Sequence, residues 1–74
     1  MENSVRQRRK ALHLTQEELS RKSGVSRGTI VSLEKGSNYN VLLSTMQSLA
    51  VALNATVEEI FFDRSVQNAK HDLA

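Results

Sequence analysis

Apolar residues recur along this chain at spacings of three and four rather than two, and polar stretches between them carry helix-start and helix-stop signals. Val5 and Leu12 stand seven apart behind Asn3 and Ser4, which predicts a first helix from about Val5 to Leu12. Thr15 followed three residues later by Glu18 is a capping box. A second helix therefore starts after Thr15, turns Leu19 inward and ends near Ser23, with Gly24 in the left-handed position that stops it. Ser26 is an N-cap for a third helix, whose Ile30 and Leu33 share a face and whose end is set by Gly36. Beyond a polar loop, Leu43, Met46, Leu49, Ala50 and Leu53 form an apolar stripe at helical period, a fourth helix over about residues 43–53. A second capping box, Thr56 with Glu59, opens a fifth helix with Val57, Ile60 and Phe61 facing inward. No segment alternates as a strand, so the expected fold class is all-α.

The glycines sharpen this picture. There are three in the chain and no proline, and all three lie between residues 24 and 36. Gly24 and Gly36 punctuate helices. Gly28 falls where the interior of the third helix is expected, and there glycine costs about 1 kcal/mol relative to alanine.

Seventy-four residues make one domain near the small end of what folds unaided. The expected division is a helical domain over residues 1–62 and a tail over 63–74. In that tail Val66, Ala69 and Leu73 form only a weak stripe, compatible with a helix extension, a dimer contact or disorder. With no cysteine, and with His13 and His71 far apart, no metal or other cofactor is expected. No apolar run reaches the roughly 18 residues of a membrane span, and the N-terminus has no signal-peptide core, so a cytoplasmic location is expected. The chain contains no nucleophile motif, phosphate-binding glycine loop or metal-spaced ligand set, which argues against an enzyme. The pairs Glu17–Glu18 and Glu58–Glu59 are accounted for by the favourable dipole at helix N-termini.

Net charge is +2, but it is unevenly spread. Residues 1–36 carry eight Lys and Arg against four acids, and residues 37–74 carry two against four. A basic half suits a polyanionic partner. The second and third helices, joined through little more than Gly24 and Val25, must cross sharply, as in a helix-turn-helix. The outer face of the third helix then presents Arg27, Gly28, Val31 and Ser32, with Ser26, Thr29 and Lys35 along its edges and Glu34 as its one acid. A helix suited to the major groove has this composition, because a free carboxylate there would repel phosphate.

The run LTQEELSRKSGVSRGTIVSLEKG resembles the helix-turn-helix of the phage Cro and lambda-repressor-like DNA-binding domains, and LAVALNATVEEIFF is similar to that family's fourth and fifth helices. The likeness spans about residues 4–62. It implies a compact five-helix domain, with the helix-turn-helix formed by its second and third helices, that binds double-stranded operator DNA as a homodimer in a bacterial or phage setting at the nucleoid. Carried across position by position, it makes Ser26, Arg27 and Ser32 readers of base edges. Gln16 becomes a phosphate ligand that also braces the recognition helix, and Arg9 with Glu34 an ion pair orienting that helix. Thr29, Lys35 and the loop residues Asn38, Tyr39 and Asn40 fall where backbone phosphates are touched.

Chemistry adds to these roles. Arg27 can give two hydrogen bonds to a guanine, worth roughly 1–3 kcal/mol of discrimination, and Val31 can meet a thymine methyl. Gly28 in the base-reading set lets the backbone approach the groove. The chain departs from the family's pattern at His13, where glycine is usual, and in a loop before the fourth helix that lacks proline. One recognition helix reaches few base pairs, so a palindromic operator read by a dimer is expected, with Phe61, Phe62, Val66 and Leu73 as interface candidates. Repression is the expected outcome. The alternative is an antitoxin or similar interaction module that binds a protein partner through its tail and controls its own synthesis through DNA.

Overall fold

Five α-helices and no strand form among residues 3–36 and 41–62, which the computed structural model describes: α1 (Val5–Ala11), α2 (Gln16–Ser23), α3 (Arg27–Lys35), α4 (Leu43–Ala52) and α5 (Val57–Phe61). Both capping boxes are complete. The hydroxyls of Thr15 and Thr56 accept from the N–H groups of Glu18 and Glu59 at 3.0 and 3.1 Å, and those glutamates accept in return from the threonine N–H groups at 2.8 and 2.9 Å. Ser26 caps α3 by accepting from Thr29 N–H at 3.2 Å.

Four helix ends use a left-handed residue, and only two of them use glycine. Gly24 (φ 76°) closes α2 and Gly36 (φ 74°) closes α3. His13 (φ 58°) and Asn54 (φ 56°) do the same after α1 and α4. The backbone pattern is the Schellman motif in both cases: Leu14 N–H reaches Arg9 O at 3.1 Å with His13 N–H on Lys10 O, and Ala55 N–H reaches Ala50 O at 2.9 Å with Asn54 N–H on Val51 O.

The core draws on every helix. Val5, Leu19, Ile30, Leu33, Leu49, Ile60 and Phe61 are its largest fully buried side chains, each worth about 1.5–3 kcal/mol of transfer from water. α2 packs on α3 and α4, α4 on α5, and α1 on α3. The N-terminus is held to α5 by Ser4, whose N–H donates to Ile60 O at 2.9 Å and whose hydroxyl points at Glu59 O at 3.3 Å. Among the described residues no helix is long and apolar enough to cross a membrane.

Three expectations need correction. α1 stops at Ala11, and Leu12 is exposed rather than sharing Val5's buried face, because the chain turns left-handed directly after it. Leu43 is also outside the core, being the first residue of α4 and preceding the turn that enters it; Met46 begins the buried stripe, which also takes in Ala52. Gly28 is the second residue of α3, not an interior one, so its cost to the helix is smaller than a mid-helix glycine's. The tail beyond Phe62 lies outside the described residues.

Candidate nucleic-acid interface

α2 and α3 are joined by Gly24, Val25 and Ser26, and side chains lock this turn from both sides. Ser20 Oγ donates to Val25 O at 2.6 Å, and Val25 N–H donates to Ser23 Oγ at 3.1 Å. Val25 itself is buried beneath the corner. Ile30 and Leu33, buried in the core, set which face of α3 points outward: Arg27, Gly28 and Lys35 are exposed, while Val31, Ser32 and Thr29 are half-buried. The Ser26 hydroxyl is engaged by the cap, accepting from Thr29 N–H and donating to Thr29 Oγ1 at 2.9 Å. A base contact by Ser26 would have to share that oxygen.

Glu34, the one acid of α3, is half-buried and turned toward α1 rather than left free on the outer face. Arg9 grips it at two points, Nε to Oε2 at 2.7 Å and Nη2 to Oε1 at 3.0 Å, with the side chains 11% and 6% exposed. Arg9 also donates from Nη1 to Leu14 O at 2.8 Å, which ties the loop before α2 to the same cluster. Gln16, in the first turn of α2, donates from Nε2 to Glu34 Oε1 at 3.1 Å. Burial on its own would raise the Glu34 pKa. The hydrogen bonds from Arg9 and Gln16 and the charges of Arg9 and Arg6 together outweigh it, and the carboxyl is held below its ordinary range. The bond to Glu34 pushes the Arg9 guanidinium further up, against desolvation. The outer face of α3 therefore presents no free negative charge.

The bond from Asn3 Nδ2 to Leu33 O at 2.9 Å is a connection that sequence reasoning missed, and for Gln16 the family likeness implied bracing of the third helix without naming Glu34 as the partner. The capping boxes put Gln16 at a helix start but gave no direction for its amide, and nothing in the sequence marks Asn3 as a partner for α3. Of the interface candidates, Phe61 is corrected: at 1% exposure it belongs to the core and has no surface to offer a second subunit. Its neighbour Phe62 is 49% exposed. Val66, Leu73, Asn38, Tyr39 and Asn40 lie outside the described residues. Among the described residues, no three histidine, aspartate or glutamate side chains gather into a metal site.

Comparison with known proteins agrees with this geometry. A helix-turn-helix family model matches residues 5–60. An uncharacterized HTH-type transcriptional regulator of Archaeoglobus fulgidus is 43% identical over 61 residues, covering 82% of this chain and 84% of its own. One from Methanothermobacter thermautotrophicus is 45% identical over 62 residues, covering 82% and 88%. Among solved structures, the SinR protein/SinI protein complex contains a similar fold, with a TM-score of 0.71 at 21% identity. That match covers 95% of this chain and 62% of the solved one.

Proposed function

This chain belongs to the helix-turn-helix family, and from that premise we propose that it is a sequence-specific transcriptional repressor that reads a palindromic operator as a homodimer, with α3 in the major groove. The observation that carries the proposal is the withdrawal of Glu34 into the Arg9 cluster. It leaves α3 with an outward face of cationic, hydroxyl and small side chains on a helix whose opposite face is buried in the core. In this reading Arg27 is the main base reader, with Val31 and Ser32 beside it, and Gly28 allows close approach. Ser26 and Thr29 stand at the phosphate edge of that surface, and Lys35 continues it toward the loop. Gln16 turns its amide toward a phosphate at the N-terminus of α2 while remaining tethered to α3.

Dimerisation is supported by exposed apolar side chains among the described residues. Leu42, Leu43 and Val51 are 68%, 60% and 78% exposed along α4, and Phe62 follows α5. Two copies related by a twofold axis would set their recognition helices about 34 Å apart, one turn of DNA. Occupying an operator that overlaps a promoter would block transcription, and the protein would act where the genome is, in the cytoplasm at the nucleoid.

Selection of bound sequences from a randomised duplex pool at near-physiological salt tests the reading. An enriched inverted repeat with half-site centres about one turn apart is expected. Salt-sensitive binding with no enrichment would leave only the electrostatic contribution and sink the operator reading in favour of a protein-interaction module.

A further inference from the structure

On the flank of α3 that faces α1, an open groove of ≈ 400 Å³ is lined by Asn3, Arg6, Gln7, Lys10 and Glu34. Its charges do not cancel. Glu34 is already bound by Arg9 through two hydrogen bonds and its side chain is only 6% exposed. Arg6 and Lys10, by contrast, are exposed and stand one helical turn apart on α1, where they can aim at one point. Arg6 lines the groove with Glu34, and its charge adds to the positive potential there. The Asn3 amide is fixed, donating to Leu33 O and accepting from Val5 N–H at 3.0 Å, so the wall beside these cations is rigid. Arg27, Val31 and Glu34 follow one another at four and three residues along α3, so the groove continues the edge of the helix that carries Arg27.

We propose that this groove is a second anion site, in which Arg6 and Lys10 together hold a phosphate group beyond the surface of α3. The phosphate has two possible sources: the backbone of a duplex flanking the segment that α3 covers, or a free phosphate-bearing molecule. The duplex source rests on the operator-binding reading above, and the free source does not.

The test uses the full chain and an Arg6→Gln/Lys10→Gln variant. An Arg21→Gln/Lys22→Gln control removes the same charge from the last turn of α2, and thermal melts establish that each variant folds. Binding to a labelled random-sequence 30-base-pair duplex is measured across salt concentration. Inorganic phosphate is then titrated against chloride at matched ionic strength while the Arg6 side-chain Nε–H and Lys10 Cε resonances are followed. If the duplex is the source, the groove variant loses about one to two units of log–log salt slope and about tenfold in affinity, and the control loses clearly less. Unchanged duplex binding with saturable shifts at Arg6 and Lys10 supports the site with free phosphate as its ligand. The same shifts in a protein that binds no duplex retain the site and reject the operator reading. If the two variants lose slope equally, or if neither duplex nor phosphate responds to the groove residues, the proposal is overturned, even where Arg27→Ala abolishes DNA binding.

Discussion

Arg9 and Gln16 share one oxygen: Oε1 of Glu34 accepts from Arg9 Nη2 at 3.0 Å and from Gln16 Nε2 at 3.1 Å. A single carboxylate in the last turns of α3 thus ties down α1 and the start of α2, the two elements that decide how α3 is presented.

Truncating one member of this cluster strands the others. Glu34→Ala or Arg9→Ala is expected to cost about 1–3 kcal/mol, because the remaining partner loses its charge-assisted hydrogen bonds in a half-buried site that borders an open groove. Replacing both, as Arg9→Met with Glu34→Leu, is expected to fall within about 1 kcal/mol of the parent, since the apolar pair carries no desolvation cost and the half-buried Gln16 amide and Leu14 carbonyl can turn to water. Urea denaturation measures both. The double variant also separates orientation from stability: it is expected to keep its unfolding midpoint and bind duplex DNA about tenfold more weakly. A double variant with parental stability and parental affinity would show that the cluster does not orient α3.

The same cluster makes stability depend on acid. Burial pulls the Glu34 pKa up, but the bonds from Arg9 and Gln16 and the neighbouring positive charges carry it below the ordinary value. A carboxyl with a depressed folded pKa contributes stability that is complete above its unfolded value of about 4.3 and is lost as pH falls through the folded value. The melting temperature is therefore expected to hold from neutral pH down to about 5 and to fall below it. Glu34→Gln, less stable at pH 7, is expected to decline less steeply, so that the two curves converge in acid. Parallel curves from pH 7 to pH 2 would remove Glu34 as the cause.

The elements whose signals are local were legible in the sequence. Thr15 with Glu18, Thr56 with Glu59, and Gly24 and Gly36 each fix a helix end through bonds to near neighbours, and the observed ends follow them. The core was legible wherever apolar residues repeat in mid-helix, as at Ile30 and Leu33. It misled at helix ends, where Leu12 and Leu43 fit the period but lie off the packed length of the helix. The Arg9–Glu34 contact was suggested by family likeness, not by pattern, since 25 residues separate the two partners. The bonds of Gln16 and Asn3 depend on where three helices converge, which no local pattern encodes.

His13 bears on stability for a reason only half visible in the sequence. It holds the left-handed position of a Schellman motif at φ 58°, a conformation that costs an ordinary side chain roughly 1–2 kcal/mol. Part of the gain from glycine is offset by its greater freedom in the unfolded chain, leaving about 0.5–1 kcal/mol of expected stabilisation for His13→Gly. Asn54 is the internal control. It occupies the equivalent position after α4 at φ 56°, but asparagine tolerates that region, so Asn54→Gly is expected to be neutral or mildly destabilising. Denaturant midpoints of the two variants decide the matter, and a loss of stability in His13→Gly would mean that the imidazole makes a compensating contribution.

Gly28 separates folding from binding. A methyl group built at this position meets nothing within 4 Å, so the free protein has no steric need for glycine there. As the second residue of α3, Gly28 gives up backbone entropy to the helix without a side chain in return, and Gly28→Ala is expected to stabilise the free protein by about 0.5 kcal/mol. The open space lies on the exposed face that also carries Arg27, which is where a base pair would come closest to the helix backbone. If glycine is there to admit that approach, Gly28→Ala raises the melting temperature and weakens binding to the selected operator about fivefold or more, leaving the preferred sequence unchanged because no side chain was reading it. An alanine variant that is more stable and binds as tightly as the parent would make Gly28 incidental to recognition.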